Sequence, residues 1–351
     1  MKYTEFDGSN PFGSQAKMLH HLNSLYKYKT TGDTSAPIFM EVNLTNRCNL
    51  SCEWCISENF VGSATLDFDA VSYFLWDFAD IGGKAVTFAG GGEPTLHPKF
   101  ENICLEAFGA GLDLGLMTNG VYPIGYNQII GSLFQWVRFS LDTTDYDHYK
   151  KWKGVNAVDR VLANIRELKD AQVRVGVNCN VGLDMTIGEV SQLIKDTHGD
   201  VDYIQFRPIL PRYFKKEKPK INHLVWDWLE GVAIYEWDNI NLSMDKLGDI
   251  RNETFFPFNT CKGHFFNPIL DATGDVSVCM YHPGDSRFIM GNIYDKRFSD
   301  IWTSEKRREV IQNLSEVAYS KECQVCCKLT ELNKFIEYID HPEKTLDKNF
   351  L

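Results

Sequence analysis

The sequence predicts an α/β fold in which a largely parallel sheet is followed by a smaller, cysteine-rich domain. Short apolar runs alternate with amphipathic helical segments over residues 38–208. The chain contains ten cysteines, and eight of them fall into one early and one late group. With 351 residues, it is long enough for one large domain and a smaller one.

Six apolar runs rich in β-branched and aromatic residues are predicted strands. They cover residues 38–44, 85–89, 112–118, 136–142, 173–181 and 202–207. Helices are predicted between them at residues 68–80, 98–110, 124–133, 156–170 and 186–197. Strands that alternate with helices form a parallel sheet through right-handed crossovers, and that sheet can be flat or curled. The loops after the carboxyl ends of the strands are then expected to carry the chemistry.

Changes of composition along the chain suggest five segments. The predicted segments are a polar lead-in (1–36), the core domain (37–210), a linker and helical segment (211–260), an auxiliary cysteine domain (261–340) and a tail (341–351).

The charge balance argues against some partners. Lys and Arg total 36 against 47 Asp and Glu, which gives a net charge of −11. Binding of bare nucleic acid needs a basic surface, so we expect no nucleic-acid partner. The first residues lack a basic start followed by an apolar run, and no stretch approaches the length of a membrane span. We therefore expect a soluble cytoplasmic protein without a membrane partner.

The early cysteines form a C-x3-C-x2-C motif directly after the first predicted strand. Thiolates of Cys48, Cys52 and Cys55 can converge on one inorganic centre because they lie in one short loop. A structural zinc site needs four closed ligands, and no nearby Cys or His completes such a set. Three thiolates suit a cluster whose fourth iron stays open to a small molecule, and zinc remains the alternative.

With Trp54 before the third cysteine, this motif resembles the signature of the radical S-adenosylmethionine (radical SAM) superfamily. The resemblance implies that the three cysteines hold a [4Fe–4S] cluster. The amino and carboxylate groups of S-adenosylmethionine would chelate the open iron, with Trp54 near the adenine. Reductive cleavage of this cofactor would yield a 5′-deoxyadenosyl radical that abstracts hydrogen from a substrate. The implied fold is a partial (β/α)6 TIM-like barrel.

Further stretches extend this resemblance over roughly residues 38–208. FAGGGEPTLHP is similar to the Gly-Gly-Glu-Pro motif of the family. Gly91 and Gly92 would let backbone groups approach the methionyl ammonium, and Glu93 would strengthen that contact. Other candidate cofactor contacts lie at the ends of later strands: Asn119, Ser140, Asp142, Asn178 and Arg207. Ser140 and Asp142 are candidates for the ribose hydroxyls, although polar residues at strand ends often only cap the next helix.

The late cysteines have the spacing C261-x12-G-x4-C279 and then C323-x2-C326-C327. With Gly274 in a predicted hairpin turn, this resembles the extension called SPASM or its shortened form, Twitch. No cysteine follows Cys327, so the resemblance is to the shortened form, which holds a single auxiliary [4Fe–4S] cluster. The implied ligands are Cys261, Cys279, Cys323 and Cys326. Cys327 either replaces Cys326 or is a free thiol, and a structural zinc ribbon is the alternative.

The resemblance implies that the auxiliary cluster accepts an electron from a substrate radical, which makes the reaction a net oxidation. The expected activity is that of a radical SAM oxidoreductase acting on a small molecule such as an amino sugar, cyclitol or nucleoside-like compound. This substrate class is suggested because the extension resembles that of the aminocyclitol dehydrogenase in the family. The alternative is a maturase of a peptide or protein, such as a ribosomally made precursor peptide. Against it, about forty residues before the barrel are few for a leader-binding module. A non-enzymatic zinc-binding scaffold is a third possibility.

Two groups of residues could bind partners. Lys215, Lys216, Lys218 and Lys220 could dock an acidic reductant of the flavodoxin or ferredoxin type, or form a solvated loop. Candidate substrate contacts follow Cys279, and they are Tyr281, His282 and Asp285.

Overall fold

The structure is a computed structural model, and it describes residues 15–58, 62–210, 220–252, 258, 260–317, 322–323 and 327–341. Lys215, Lys216, Lys218, Cys326 and the tail from residue 342 lie outside the described residues.

Six parallel strands form the core of the described fold, and each corresponds to a predicted strand. They are β1 (Phe39–Asn43), β2 (Ala85–Ala89), β3 (Asp113–Thr118), β4 (Phe134–Ser140), β5 (Arg174–Val181) and β6 (Tyr203–Pro208). Strand β4 starts two residues earlier than predicted and ends two residues earlier, so that Asp142 lies beyond it.

Within the described residues, one helix precedes β1 and six connect the core strands, five of them at predicted positions. They are α1 (Leu22–Thr31), α2 (Phe68–Asp80), α3 (Phe100–Gly109), α4 (Tyr126–Leu133), α5 (Tyr146–Lys153), α6 (Val158–Leu168) and α7 (Ile187–Thr197). A capping box between Thr186 and Glu189 starts α7.

Helix α5 was not predicted. It begins where the side chain of Asp145 accepts a hydrogen bond from the His148 amide, and it ends at Gly154 with a φ of 84°. Its sequence, YDHYKKWK, buries only Tyr149, Trp152 and Lys153. So short a helix with so few apolar residues carries no readable helical periodicity.

Each core strand buries one side against the helices and turns the other toward the barrel interior. On β5, Val175, Val177 and Cys179 belong to the main apolar core, whereas Gly176 and Asn178 alternate with them. This two-residue alternation places polar strand residues inside the curled sheet.

Within the described residues the sheet has ten strands in the linear order β10-β9-β8-β1-β2-β3-β4-β5-β6-β7. The added strands are β7 (Ile240–Leu242), β8 (Ile269–Leu270), β9 (Asp275–Ser277) and β10 (Ile289–Asn292). Because β1 borders β8 instead of β6, the sheet is not closed, which confirms the predicted partial barrel. The predicted turn at Gly274 joins β8 to the antiparallel β9, with a φ of 90° at the glycine.

The remaining helices follow the core strands. They are α8 (His223–Trp228), α9 (Ile234–Glu236), α10 (Met244–Asn252), α11 (Phe298–Thr303), α12 (Glu305–Asn313) and α13 (Thr330–Asp340). A π-helical turn, Leu229–Ala233, joins α8 to α9.

Helix α1 packs on the late part of the chain. Leu25 and Tyr28 share a small apolar cluster with Phe265, Phe266 and Ile336. An ion pair strengthens this contact, because Arg307 bonds both carboxylate oxygens of Asp33, at 2.6 and 2.7 Å. Across the described residues, no helix combines the length and apolar character needed to cross a membrane.

Candidate active site

The early cysteine loop follows β1 and is fastened to the end of α5. The amides of Ser51 and Glu53 donate to the carbonyls of Lys153 and Trp152, at 3.0 and 2.8 Å. Gly154 permits this approach, because a Cβ there would lie 2.1 Å from the Ser51 hydroxyl. The unpredicted helix therefore sets the position of the cysteines.

The three early thiols are half-buried and lie close enough for their charges to act on one another. Burial raises the pKa of Cys48, and the charge of Cys55 raises it further. Burial also raises the pKa of Cys52 to about 11, with Lys153 acting in the opposite direction. A bound cluster supplies the positive charge that such thiols need to ionise, so this donor set fits an iron–sulfur group.

The glycines after β2 bring their turn onto the backbone that leads to Cys48. A Cβ on Gly91 would lie 2.1 Å from the Asn46 side-chain oxygen, and one on Gly92 would lie 2.1 Å from the Arg47 carbonyl oxygen. The amides of Gly92 and Glu93 donate to the carbonyls of Thr45 and Arg47. Any side chain at Gly92 would displace the cysteine loop.

Glu93 connects the glycine turn to the end of β3. Its carboxylate is buried and accepts four hydrogen bonds. Two come from the hydroxyls of Thr95 and Thr118, and two come from the backbone amides of Thr95 and Asn119. Burial raises the pKa of Glu93, and these hydrogen bonds pull it in the opposite direction. Glu93 therefore positions Asn119, whose side-chain amide lies 3.9 Å from the Cys48 sulfur.

Asp142 occupies a fully buried position behind the cysteine loop. It forms an ion pair with Lys153, and its other oxygen accepts hydrogen bonds from the backbone and side chain of Asn180. Burial lowers the pKa of Lys153, but the Asp142 carboxylate outweighs burial and raises the pKa above its ordinary range. Lys153 also lies over the Trp54 ring, 5.9 Å from its centroid. A ribose contact for Asp142 stays a prediction.

Several buried polar atoms in the cysteine loop, at the end of β1 and within β5 have no hydrogen-bond partner within the described residues. They are the indole nitrogen of Trp54 and the amide oxygens of Asn43 and Asn178. Such orphans are rare unless a ligand satisfies them. They fit a polar cofactor lying across the mouth of the barrel, where Ser140 and Arg207 are half-buried.

The late thiols also lie close together. Cys261, Cys279, Cys323 and Cys327 are the late cysteines among the described residues, and all are half-buried. Burial raises the pKa of Cys279 and Cys323, and in both the charge of Cys327 raises it further. Burial raises the pKa of Cys261 to about 11, again with a contribution from Cys327.

Hydrogen-bond donors reach the late sulfurs as well. The Leu329 amide lies 3.4 Å from the Cys327 sulfur, and the Asn333 side-chain amide lies 3.6 Å from the Cys261 sulfur. Donors of this kind stabilise cluster thiolates. In the described part of the chain, no three His, Cys, Asp or Glu side chains surround a point that one metal ion could occupy. Cysteines of a [4Fe–4S] cluster bind separate irons, so that finding concerns a single ion only.

The segment after the late cysteines reaches into the barrel. Lys328, next to Cys327, forms an ion pair with Glu41, which is 3% exposed on β1. Burial raises the pKa of Tyr281, and the charges of Cys327 and Arg207 act on it in opposite directions. Tyr281 therefore lies near the charges of both the late thiols and Arg207.

The other two candidate substrate contacts have structural partners. The His282 ring stacks on Phe288, with centroids 4.3 Å apart, and Asp285 pairs with Arg287 at 2.7 Å. Their contact with substrate stays a prediction.

Sequence reasoning missed four residues that shape these sites: Lys153, Glu41, Lys328 and Asn333. Only the short helix that carries Lys153 has a local signal, which is the glycine at its end, Gly154, because glycine is typical of a helix C-terminus. The others act through contacts between distant parts of the chain.

Comparison with protein-family models finds both domains. The model "Radical SAM superfamily" matches residues 42–197, and the SPASM model, "Iron-sulfur cluster-binding domain", matches residues 261–327. Fold, site and both matches define a radical SAM protein with an auxiliary cluster domain. The chain therefore contains a radical SAM domain, which implies a [4Fe–4S] cluster with S-adenosylmethionine, followed by a SPASM domain, which implies auxiliary iron–sulfur binding.

Curated relatives match part of the chain. GTP 3′,8-cyclase from Clostridium perfringens is 26% identical over 191 residues, which cover 49% of this chain and 56% of that protein. AdoMet-dependent heme synthase from Methanosarcina barkeri is 30% identical over 153 residues, covering 42% and 44%. The chain thus matches about half the length of these relatives.

Solved structures match most of the fold. Streptococcus suis SuiB bound to precursor peptide SuiA has a TM-score of 0.66 at 16% identity, covering 86% of this chain and 72% of that one. Native anSMEcpe with bound AdoMet and Cp18Cys peptide has a TM-score of 0.61 at 19% identity, covering 85% and 88%. At this identity the likeness shows the fold.

Proposed function

We propose that this enzyme cleaves S-adenosylmethionine reductively and abstracts hydrogen from a small-molecule substrate, in a net oxidation. The substrate class we favour is an amino sugar, cyclitol or nucleoside-like compound. The supporting observation is the early cysteine loop, whose three half-buried thiols lie close together beside Asn119, the residue that Glu93 positions.

The early cluster and S-adenosylmethionine, when bound, supply the one-electron cleavage that generates the reactive radical. Cys48, Cys52 and Cys55 would hold the cluster. The residues that would bind or orient the cofactor are Trp54, Gly91, Gly92, Glu93, Asn119, Ser140, Asp142, Asn178 and Arg207. Among them, Glu93 fixes Asn119, and the packing of Trp54 on Trp152 at 5.2 Å between ring centroids excludes water from one side.

The auxiliary cluster would be held by Cys261, Cys279, Cys323 and one of Cys326 and Cys327. The Leu329 amide bond to Cys327 favours Cys327 as the fourth ligand. A single auxiliary cluster with four protein ligands suits electron transfer. The ion pair of Lys328 with Glu41 supports this role, since it links the residue next to Cys327 to β1 of the barrel. A cytoplasmic reductant of the flavodoxin or ferredoxin type would supply electrons.

Peptide modification is the second candidate. SuiB and anSMEcpe are described with peptides bound, and both share most of this fold. The curated relatives do not favour a peptide substrate, since one is named a GTP cyclase and another a heme synthase.

The test follows hydrogen transfer from substrate to cofactor. Anaerobically reconstituted protein is incubated with S-adenosylmethionine, dithionite and deuterated candidates from the sugar, cyclitol, nucleoside and peptide classes. Mass spectrometry of 5′-deoxyadenosine then reports deuterium. Label from a small molecule supports the proposal, whereas label from peptides alone establishes the second candidate. Colourless protein with stoichiometric zinc and no 5′-deoxyadenosine would contradict both and favour a zinc scaffold.

A further inference from the structure

We propose that Lys153, held by Asp142, is a positioning residue that places a positive charge beside the early cysteine loop and raises the reduction potential of the cluster bound there. This inference rests on the proposed function, in which Cys48, Cys52 and Cys55 hold that cluster. It gives the buried ion pair a task in electron transfer as well as in the structure of the loop.

The ion pair of Lys153 and Asp142 lies almost entirely out of solvent. The two side chains are only 4% and 0% exposed. Burying charges is unfavourable unless they are paired and hydrogen-bonded, and apolar residues of similar volume are often at least as stable in their place. Stability alone therefore explains this pair poorly, and its position suggests a role in the neighbouring cysteine site.

The carboxylate end of the pair is fixed to β5. One Asp142 oxygen accepts hydrogen bonds from the backbone amide of Asn180, at 2.7 Å, and from its side-chain nitrogen, at 3.0 Å. The Cys179 thiol donates to the backbone carbonyl of Asp142 at 3.3 Å. The other carboxylate oxygen pairs with Lys153. Both carboxylate oxygens are thus bound to protein groups, and the negative end of the pair lies at β5.

The backbone of Lys153 is attached to the cysteine loop. Its carbonyl accepts a hydrogen bond from the Ser51 amide at 3.0 Å, and the Trp152 carbonyl accepts one from the Glu53 amide at 2.8 Å. Ser51 and Glu53 are the two neighbours of Cys52 in the chain. The loop therefore runs alongside the end of α5 at this cysteine.

The side chain of Lys153 reaches the same loop. Its ammonium lies 5.9 Å from the centroid of the Trp54 ring, and Trp54 directly precedes Cys55. This ring also packs on Trp152, with centroids 5.2 Å apart, so it is held against α5. The positive end of the ion pair therefore faces the cysteine loop, whereas the negative end is held at β5.

The effects of these charges on Cys52 agree with that orientation. Burial raises the pKa of Cys52, and Lys153 lowers it more strongly than Asp142 raises it. At this cysteine the ion pair thus acts as a net positive charge. Reduction adds an electron to a cluster, so a nearby cation favours the reduced state. Because the lysine is buried, dissolved salt screens this effect only weakly.

A higher potential has a direct consequence for the proposed reaction. Cleavage of S-adenosylmethionine requires an electron from the early cluster, and a carrier of fixed potential delivers it. A cation beside the cluster raises the fraction of enzyme that such a carrier reduces. We infer that Lys153 adapts the early site to its electron donor.

A ribose contact by Asp142 is the competing assignment. The Asp142 side chain is fully buried, and its two oxygens are bound to Asn180 and Lys153. A ribose hydroxyl would have to displace one of these partners. The two assignments predict different measurements, because loss of a ribose contact weakens cofactor binding and loss of the cation changes the potential.

The test is a redox titration of the reconstituted full-length protein, followed by electron paramagnetic resonance. The early cluster is the one whose signal changes when S-adenosylmethionine is added. The variants are Lys153→Met, Lys153→Arg and the neutral double variant Asp142→Asn/Lys153→Met, which leaves no unpaired charge in the interior. Lys151→Met is the matched control, because Lys151 lies on the same helix but is 54% exposed and pairs with Asp184.

We expect the double variant to lower the equilibrium constant for reduction of the early cluster about tenfold, which is about 59 mV for a one-electron couple. Lys153→Met should shift it further in the same direction, because the Asp142 carboxylate then lacks its counter-charge. Lys153→Arg keeps the charge and should lie closer to the wild type than to the double variant. Lys151→Met should keep the wild-type value, because an exposed charge is screened.

Four results would overturn the proposal. The first is an unchanged potential in the double variant, and the second is an equal shift in Lys151→Met. The third is loss of the early cluster from both Lys153→Arg and the double variant, seen as about four irons per chain, which would make the pair purely structural. The fourth is weaker S-adenosylmethionine binding in the double variant with an unchanged potential, which would assign Asp142 to the ribose.

The proposed function is tested separately by formation of 5′-deoxyadenosine in the wild type under excess dithionite. Absence of this product refutes the proposed function. Its presence, together with equal potentials in the wild type and the double variant, refutes only the role of Lys153.

Discussion

The two cysteine sites of this molecule are built in different ways. The early site takes three cysteines from one eight-residue loop, and that loop is fixed by the glycine turn at Gly91–Gly92 and the end of α5. The late site gathers Cys261, Cys279, Cys323 and Cys327 from a span of more than sixty residues. Each site has an asparagine amide directed at one sulfur, Asn119 at Cys48 and Asn333 at Cys261.

This difference assigns separate tasks to the two sites. The loop supplies three protein thiolates. Trp54, Asn43 and Asn178 have buried polar atoms without hydrogen-bond partners among the described residues, so the early site suits a cluster that binds a small polar molecule. The late site offers a fourth thiol, and Lys328 beside it reaches Glu41 on β1, so it suits electron transfer. Substitution of cysteines in one site should therefore affect a different step of the reaction from substitution of cysteines in the other site.

The largest expected effect separates the sites by their cysteines. Cys48→Ala, Cys52→Ala or Cys55→Ala should abolish formation of 5′-deoxyadenosine, because two thiolates cannot hold the cofactor-binding cluster. Cys261→Ala or Cys279→Ala should retain some uncoupled cleavage but form no product. Chromatographic assay of 5′-deoxyadenosine under dithionite measures this difference.

Cys104→Ala is the control, because this thiol is buried in α3 away from both sites. The wild type should contain about eight irons per chain, and each site variant about four. Cleavage by the early variants at the wild-type rate would refute the assignment.

The next effect concerns the fourth ligand of the late site. Cys327→Ala should lower the iron content to about four per chain, because its sulfur shares the site with the other late thiols and accepts the Leu329 amide. Cys326→Ala is the matched neighbour and should keep about eight irons. Iron analysis with Mössbauer spectroscopy distinguishes them, and the reverse pattern would make Cys326 the ligand.

A smaller effect is expected at Glu93, which connects the glycine turn to Asn119. Glu93→Gln replaces an acceptor oxygen with a donor among groups that all donate, so a buried hydrogen bond is lost. We expect a loss of about 2 kcal/mol in the free energy of unfolding and weaker S-adenosylmethionine binding. Chemical denaturation and calorimetric titration measure these quantities. Glu106→Gln, on the exposed side of α3, is the control. Equal stability of the Glu93 and Glu106 variants would show that the contact is dispensable.

The smallest effect tests the link between α1 and the late domain. Burial opposes ionisation of Asp33, but Arg307 outweighs it and holds the pKa of Asp33 below its usual range. A lowered carboxyl pKa stabilises the fold above the unfolded-state pKa, and this contribution is lost as the pH falls through the folded-state value. Asp33→Asn should cost about 1 kcal/mol at neutral pH, a modest figure because Asp33 is partly exposed.

Denaturation at pH 7 and below about pH 4 checks this. The difference between wild type and Asp33→Asn should shrink in acid, while 5′-deoxyadenosine formation stays normal at neutral pH. Glu309→Gln, from an exposed ion pair on α12, is the control. A difference that grows in acid would contradict the role of the ion pair.

The contrast between local and distant contacts also explains what the sequence could predict. The core strands and the early motif were predictable, because they depend on local alternation and on cysteines within one loop. Helix α5 was missed because its eight residues bury few apolar side chains. The Lys328–Glu41 ion pair joins residues 287 positions apart, and no local pattern signals such a contact. The fourth late ligand was left open for the same reason, since adjacent cysteines differ only in how the folded chain orients them.

The central claim is that the early loop leaves one iron free for S-adenosylmethionine, and electron paramagnetic resonance tests it directly. Reduced, reconstituted protein is titrated with S-adenosylmethionine, using the wild type, Cys261→Ala and Cys52→Ala. The account predicts a changed cluster signal in the wild type and in Cys261→Ala, and none in Cys52→Ala. An unchanged signal in the wild type, or the same change in Cys52→Ala, would contradict it.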